Sequence, residues 1–191
     1  MSEARVPRLP GADADAAARD AGVPEVMAGL SVFQVLLRHP RLAKAVNDLL
    51  FALLFDGRLD VRLRELVIMR MGWLSGSDYE WTQHWRVARG LGVTEEDLLA
   101  VRDGPTHPRF GPVEQAVLAA VDETVQTGRI SRPTWDACER HLGGDHQVLL
   151  ELVAAIGTWS MIATMLLSLE VPLEDGVASW PPTGQPPDPH R

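Results

Sequence analysis

An uncharged stretch of 18 residues, Leu152 to Leu169, most restricts the folds open to this chain of 191 residues. A helix of that length just reaches the lower limit for crossing a membrane, and a helix that is apolar on every side must otherwise be buried in protein. Glycine and hydroxyl residues interrupt the stretch, Glu151 and Glu170 flank it, and no basic residue anchors either end. We therefore interpret it as a helix buried in protein rather than as a membrane span.

The rest of the sequence predicts further helices. Apolar residues recur at helical spacing between Gly, Pro and Asp breaks, and no alternating strand pattern is present. This pattern predicts an all-α protein of about eight helices. We expect an N-terminal arm with a short helix over residues 1–22, one helical domain over 23–176, and a Pro-rich disordered tail over 177–191.

Composition excludes several classes of function. A formal net charge of −8 argues against nucleic-acid and anionic-membrane partners, which need clustered basic residues. Cys138 is the only cysteine, so an intramolecular disulfide, a Cys-x-x-Cys redox pair and a cysteine-rich zinc site are excluded. The N-terminus lacks the apolar core of a signal peptide, which predicts a cytoplasmic location.

The stretch from Glu65 to His84 places ionisable residues where apolar ones are expected. Most residues three and four positions from Glu65 are apolar, so its carboxylate is predicted to point inward. Glu80 and His84 lie one turn apart on the next predicted helix, on its apolar side. Because a buried charge needs a partner or a purpose, these three residues are the candidates for chemistry.

A purely structural interpretation of the same residues is also open. Ser77 followed by Glu80 has the spacing of a capping box, in which the Glu side chain binds the amide of the cap residue. Glu80 and His84 would then be an ordinary pair on one helix face, worth about 0.2–0.5 kcal/mol. Glu65 would be a buried acid bound to Arg62 or Arg70.

The motif resembles the carboxymuconolactone decarboxylase family, which includes the AhpD-like alkylhydroperoxidases. Peroxidase members have a Glu followed twelve residues later by Cys-x-x-Cys-x-x-x-His, and this chain has Glu65 followed by Ser77, Glu80 and His84 at the same spacing. The resemblance extends over residues 42–176, including G-T-W-S-M-I-A-T-M-L-L-S-L-E-V-P-L-E near the C-terminus. Neither cysteine position holds cysteine, which indicates the cysteine-free, decarboxylase-like branch and disfavours a thiol peroxidase.

The resemblance implies an AhpD-like helical bundle that assembles into trimers or hexamers. It also implies a cofactor-free enzyme performing acid–base chemistry on a small organic acid, lactone or polyketide-like substrate. In this hypothesis His84 is the proton shuttle and Glu80 orients it or takes the proton itself. Glu65, being desolvated, would have a raised pKa and act as an acid held neutral. The candidate substrate-binding residues are Ser77, Tyr79, Trp81, Arg62 and Arg70, the two arginines as carboxylate binders.

Other assignments stay open. The chain could be a non-catalytic helical oligomer that binds a ligand or partner through an inherited site. A one-cysteine peroxidase is disfavoured because Cys138 lies far from the motif and has no resolving thiol. No metal is predicted: His141 and His146 flank a Gly-Gly loop expected to be exposed. Ferritin-like sites need about twice the ligands that Glu65, Glu80 and His84 supply.

Overall fold

The computed structural model describes residues 4–188, in which ten α-helices and no strands are present. The predicted all-α class is therefore confirmed. The number of helices exceeds the predicted eight in part because the segment between Pro24 and Pro40 forms two short helices, separated by a turn at Gly29 and Leu30. The helices are α1 Gly11–Ala21, α2 Glu25–Ala28, α3 Ser31–Leu36, α4 Pro40–Leu54, α5 Val61–Ser75, α6 Asp78–Gly90, α7 Glu95–Ala100, α8 Pro112–Thr127, α9 Arg132–His141 and α10 His146–Leu169.

The first of two compact units contains residues 4–56 and 164–177, that is α1 to α4 and the end of α10. Its helix α1 packs through Ala14 and Ala18, both fully buried, and ends at Gly22 in the left-handed conformation. Within this unit the amide of Arg5 donates to the carbonyl of Leu169 at 2.8 Å. The described part of the predicted loose arm is therefore attached to the unit, and residues 1–3 of that arm lie outside the described residues.

The second unit contains residues 57–163 and 178–188, with α5 to α9 and the first part of α10. Helix α5 is its centre, because every residue from Leu63 to Gly72 is buried. The helix begins at Asp60, whose carboxylate accepts from the amide of Leu63 at 3.0 Å. It ends at Gly76 (φ 67°), after which the amide of Ser77 donates back to the carbonyl of Gly72. Such an αL termination satisfies the last carbonyls of a helix.

Gly72 is where α5 and α6 come closest. A Cβ added there would lie 3.2 Å from the amide nitrogen of Trp81 and 3.3 Å from the Cβ of Glu80. Only glycine therefore fits without a shift of α6. This close approach places Glu80 directly against the buried surface of α5.

The Pro-rich segment predicted to be disordered contacts the second unit through hydrogen bonds of Ser179, Trp180 and Pro181. Its anchor is Trp180, which is 7% exposed and stacks near Trp73 and Trp81. The carbonyl of Pro181 accepts from the Trp81 indole N–H at 2.8 Å. The prediction counted prolines and missed that one tryptophan supplies a buried contact. Residues 189–191 of the predicted tail lie outside the described residues.

Helix α10 corresponds to the uncharged stretch that restricts the fold. Among the described residues it alone is long and apolar enough to cross a membrane, by length and composition, a property shared by core helices of soluble proteins. One side is buried, including Leu152, Ile156 and Trp159. The other side is exposed at Leu150 and Val153, so a single chain does not cover the helix all round. The prediction that the uncharged stretch is buried in protein stays a prediction.

Candidate active site

Three side chains from α5, α6 and α10 form a hydrogen-bonded row. The Nδ1 of His84 lies 2.9 Å from Oε2 of Glu65, and the indole N–H of Trp159 donates to Nε2 of His84 at 3.0 Å. An indole nitrogen can only donate, so Nε2 is the accepting nitrogen and Nδ1 carries the proton donated to Glu65. The two partners thus fix both the ring orientation and the tautomer of His84.

Glu65 is fully buried and holds its charge through its partners. Its Oε1 accepts from Nε and Nη2 of Arg64, at 3.1 and 3.0 Å, while Oε2 faces His84. Desolvation by burial raises the pKa of this carboxyl, but electrostatic attraction and hydrogen bonds from His84 and Arg64 outweigh it and hold the pKa below its ordinary value. The prediction of a raised pKa at Glu65, an acid held neutral, is therefore wrong.

Glu80 is in the opposite situation. The residue is 2% exposed, and neither carboxyl oxygen has a hydrogen-bond partner within the described part of the chain. Burial raises the pKa of this carboxyl well above its ordinary value, with no opposing charge. The raised pKa expected at Glu65 is thus found at Glu80, which lies one turn before His84 on the side of α6 that faces α5.

Half of the predicted capping box forms. The hydroxyl of Ser77 accepts from the amide of Glu80 at 3.4 Å, so Ser77 caps α6. The Glu80 carboxyl does not return the bond, because the amide of Ser77 already donates to the carbonyl of Gly72. The structural interpretation therefore explains Ser77 but leaves the Glu80 side chain unexplained.

The remaining predicted binding residues lie around this row rather than in it. Tyr79 is 7% exposed, and Trp81 is fully buried among Trp73, Trp85 and Trp180. These burials place both residues in the interior of the second unit. Their predicted role in substrate binding stays a prediction.

The two arginines predicted to bind a substrate carboxylate have protein partners instead. Arg62 donates to Asp97 at 2.7 Å and to Glu114 at 2.6 Å. Arg70 donates to both oxygens of Asp122, at 2.7 and 2.9 Å, and to two backbone carbonyls. The sequence predicts that Glu65 would bind Arg62 or Arg70 if its role were structural. The arginine that donates to Glu65 is instead Arg64.

The loop around Asp145 is the other cluster considered in the sequence. Asp145 pairs with Arg58 at 3.0 Å and accepts from the amide of Gln147 at 2.9 Å, at the start of α10. Within residues 4–188, no three His, Cys, Asp or Glu side chains are grouped so that they could hold a metal ion.

Sequence reasoning missed two residues of the network. Arg64 is adjacent to Glu65, and adjacent helix residues are not neighbours by the three- and four-residue spacing rule. Trp159 lies 75 residues after His84, beyond the reach of any spacing rule. The sequence feature that could have indicated this contact is the position of Trp159 in the uncharged stretch 152–169. A buried indole N–H there needs an acceptor from another helix.

Residues 40–123 match the model of the carboxymuconolactone decarboxylase family. This match confirms the resemblance. The matched segment contains Glu65, Glu80 and His84, while Trp159 lies beyond it. Among curated protein sequences, none matches the chain significantly.

Several solved structures share the fold. An uncharacterized peroxidase-related protein from Ralstonia eutropha, described as an alkylhydroperoxidase AhpD core, has a TM-score of 0.73 at 17% identity, covering 92% of this chain and 94% of that one. The debrominase Bmp8 has a TM-score of 0.72 at 16% identity, covering 89% and 92%. A protein of unknown function from Agrobacterium tumefaciens has a TM-score of 0.65 at 19% identity, covering 72% and 93%. At these identities the similarity establishes the AhpD-like fold alone.

Proposed function

We propose that the chain is a cofactor-independent, decarboxylase-like enzyme that transfers protons on a small organic acid, lactone or polyketide-like substrate. The observation that carries the proposal is the buried carboxyl of Glu80, which has no hydrogen-bond partner among residues 4–188 and has a raised pKa. A carboxylic acid that stays protonated near neutral pH is a suitable proton donor.

Stability alone does not account for such a group. A buried polar group without a partner costs about 1–3 kcal/mol, whereas an apolar side chain of similar size would avoid this cost. Glu65, on the neighbouring helix α5, has a hydrogen-bond partner for each of its two carboxyl oxygens. This contrast supports a chemical role for Glu80.

In a decarboxylation the bond between the substrate carboxylate and its neighbouring carbon breaks, and carbon dioxide leaves. The electron pair of that bond moves into the conjugated carbonyl system of the substrate, which becomes a dienolate. Glu80 then gives its proton to the dienolate carbon, and the resulting Glu80 carboxylate takes a proton from water. The same donation would complete an isomerisation or cyclisation, so the reaction class is set by the substrate.

His84 has a different role in this proposal from the predicted shuttle. Its Nε2 accepts the Trp159 N–H, so this nitrogen can take a substrate proton only after Trp159 turns away. We assign His84 to positioning, with its ring held between Glu65 and Trp159. The His84 side chain is 15% exposed, against 0% for Glu65, so a substrate would approach from the His84 side.

A second candidate function is a helical oligomer that binds a ligand or partner without turnover. The observation that favours it is the closure of the network, since both ring nitrogens of His84 are satisfied and Trp159 is 1% exposed. The sole role of such a network would then be structural, to fix the orientation of α5, α6 and α10. Turnover measurements separate the two candidates.

Thiol peroxidase chemistry receives no support from Cys138. The thiol is buried on α9, and its sulfur donates to the carbonyl of Ala116 at 3.4 Å. Desolvation, with a contribution from Glu123, raises its pKa to about 11. At pH 7 only roughly one molecule in ten thousand would then carry the nucleophilic thiolate.

The decisive test is the Glu80→Gln variant. Purified protein is screened against lactones and β-keto acids with carbon dioxide release as the readout, and the variant is assayed on the best substrate. Gln keeps the shape but cannot donate an acidic proton, so we expect turnover to fall by about 10²–10⁴-fold while the melting temperature changes little. Wild-type turnover in this variant would remove Glu80 from the mechanism. Absence of turnover on any substrate would favour the binding function.

We also propose that the chain forms a homo-oligomer, a trimer or a hexamer. The support is the exposed apolar side of α10, where Leu150 is 68% and Leu167 47% exposed. Light scattering at micromolar concentration should give a multiple of the 21.0 kDa chain mass. A monomer mass would contradict the proposal, and Leu150→Glu should shift the wild-type oligomer toward monomer.

A further inference from the structure

A guanidinium group that makes no ion pair with the described carboxylates lies in the second unit, apart from the proposed active site. Arg102 follows α7, and its guanidinium carbon lies 4.6 Å from the ring centre of Trp73 and 4.8 Å from that of Trp81. Its Nη2 donates to the carbonyl of Pro181 at 3.3 Å. Its Nε is buried without a partner, and its Nη1 makes no hydrogen bond with the described residues.

The charge of this group is poorly compensated. Burial lowers the pKa of the Arg102 guanidinium, and the opposing attraction of Asp103 does not offset that effect. Arg70, the other cation nearby, is fully used by Asp122 and two backbone carbonyls. Arg102 is therefore the cation here that retains donors for a ligand.

Arg102 lines a cavity of about 620 Å³, within the size range of small-molecule sites. One wall is apolar, formed by Trp73, Leu74 and Leu99, and another is the C-terminal segment 185–188. Two acids also contribute to the lining. Asp103 has a 62% exposed side chain that lies 4.0 Å from His107, and Asp188 belongs to the C-terminal wall.

We propose that this cavity is a binding site for a small planar monocarboxylate. The carboxylate would accept from Nη1 of Arg102, and the planar apolar body would lie against Trp73 and the two leucines. A guanidinium held on indole faces is pre-oriented, so it loses little side-chain entropy when it binds a carboxylate. Residues 185–188 close the site, which gives the packed C-terminal segment a function. The site does not depend on the proton-transfer activity proposed above.

The test compares three ligands of one shape by titration calorimetry on the full-length protein: 2-naphthoate, 2-naphthamide and 2-naphthylmethylammonium. We expect the carboxylate to bind about tenfold more tightly than the amide, from one charge-assisted hydrogen bond, and the ammonium to bind most weakly. Equal affinities for the carboxylate and the amide would overturn the proposal. Preference for the ammonium would overturn it as well, because the two acids would then dominate the cavity.

Variants assign the binding to Arg102. Arg102→Met keeps a long side chain against the indoles and removes the charge, so 2-naphthoate should bind about tenfold more weakly while 2-naphthamide is unaffected. Arg86→Met, an exposed position on α6, is the matched control and should leave both affinities unchanged. Unchanged 2-naphthoate affinity in a folded Arg102→Met variant would contradict the assignment. If that variant does not fold, the comparison of the three ligands with the wild-type protein still decides.

Discussion

Glu65 and Glu80 are both buried on helices that pack against each other, and they differ in almost every other respect. Glu65 on α5 accepts two hydrogen bonds from Arg64 and one from Nδ1 of His84, and its pKa is lowered. Glu80 on α6 accepts none, and its pKa is raised well above the ordinary value. Burial of two carboxyls on one helix pair is thus accompanied by pKa shifts of opposite sign.

The difference shows that burial by itself does not set the charge of a carboxyl. Desolvation is the largest single influence on the pKa at both positions, and it acts in the same direction at both. The sign of the net shift is decided by whether a cation or donor stands within hydrogen-bond distance. A pair of titratable groups separated in this way is the usual arrangement for acid–base chemistry.

The same Glu→Leu substitution should have opposite effects on stability at the two positions. Glu65→Leu removes the buried carboxylate that accepts from Arg64 and from Nδ1 of His84, and we expect the free energy of unfolding to fall by about 3–5 kcal/mol. Glu80→Leu removes a group that has no partner, and we expect it to be neutral or stabilising by up to about 3 kcal/mol. Urea unfolding of both variants at pH 7 measures the contrast. Equal destabilisation by both would mean that Glu80 has a partner in solution.

The pH dependence of stability should also separate the two carboxyls. A raised pKa means that folded Glu80 holds its proton where the unfolded chain has lost it, so its burial costs more as pH rises above about 4.5. A lowered pKa gives Glu65 the opposite sign: its contribution is present above the ordinary value and is lost as pH falls through the folded pKa. The advantage of Glu80→Leu over wild type should therefore grow between pH 5 and pH 8, by at most about 1.4 kcal/mol per pH unit. A constant difference over that range would show that Glu80 is not desolvated.

Much of the fold follows from local patterns in the sequence. Asp60 at the start of α5, Gly76 at its end and Ser77 before α6 act where their residue types predict. The C-terminal segment was misjudged because its composition is dominated by proline, whereas its structure depends on Trp180 reaching a distant aromatic cluster. Contacts of that range leave no periodic trace.

The sequence predicted which ionisable residues are candidates for the site, but not the hydrogen bonds that they make. Helical periodicity identified Glu65, Glu80 and His84 as inward-facing, yet it assigned the raised pKa to the wrong carboxyl. That assignment depends on Arg64, which is too close in sequence for the spacing rule, and on His84, which reaches Glu65 from the next helix. Trp159, the partner of His84, is too distant in sequence for any spacing rule. Helix spacing indicates which face a residue occupies, while a pKa depends on what the neighbouring helices bring to that face.

The smallest expected effect concerns Ser77, which the structure places as the cap of α6 and which the family resemblance makes a candidate for substrate binding. Its hydroxyl lies 3.4 Å from the amide of Glu80, a long hydrogen bond. Ser77→Ala should therefore cost only about 0.5–1 kcal/mol of stability, the low end for a cap. Thr94→Ala at the start of α7, where the Thr94 hydroxyl accepts from the Asp97 amide at 3.2 Å, is a control cap. We expect thermal melts to show a loss in both variants and assays to show turnover retained in both. A fall in turnover of about tenfold or more in Ser77→Ala alone would place the Ser77 hydroxyl at the substrate. The functional contrast between Glu80 and Glu65 would then include Ser77, the residue that caps the helix of Glu80.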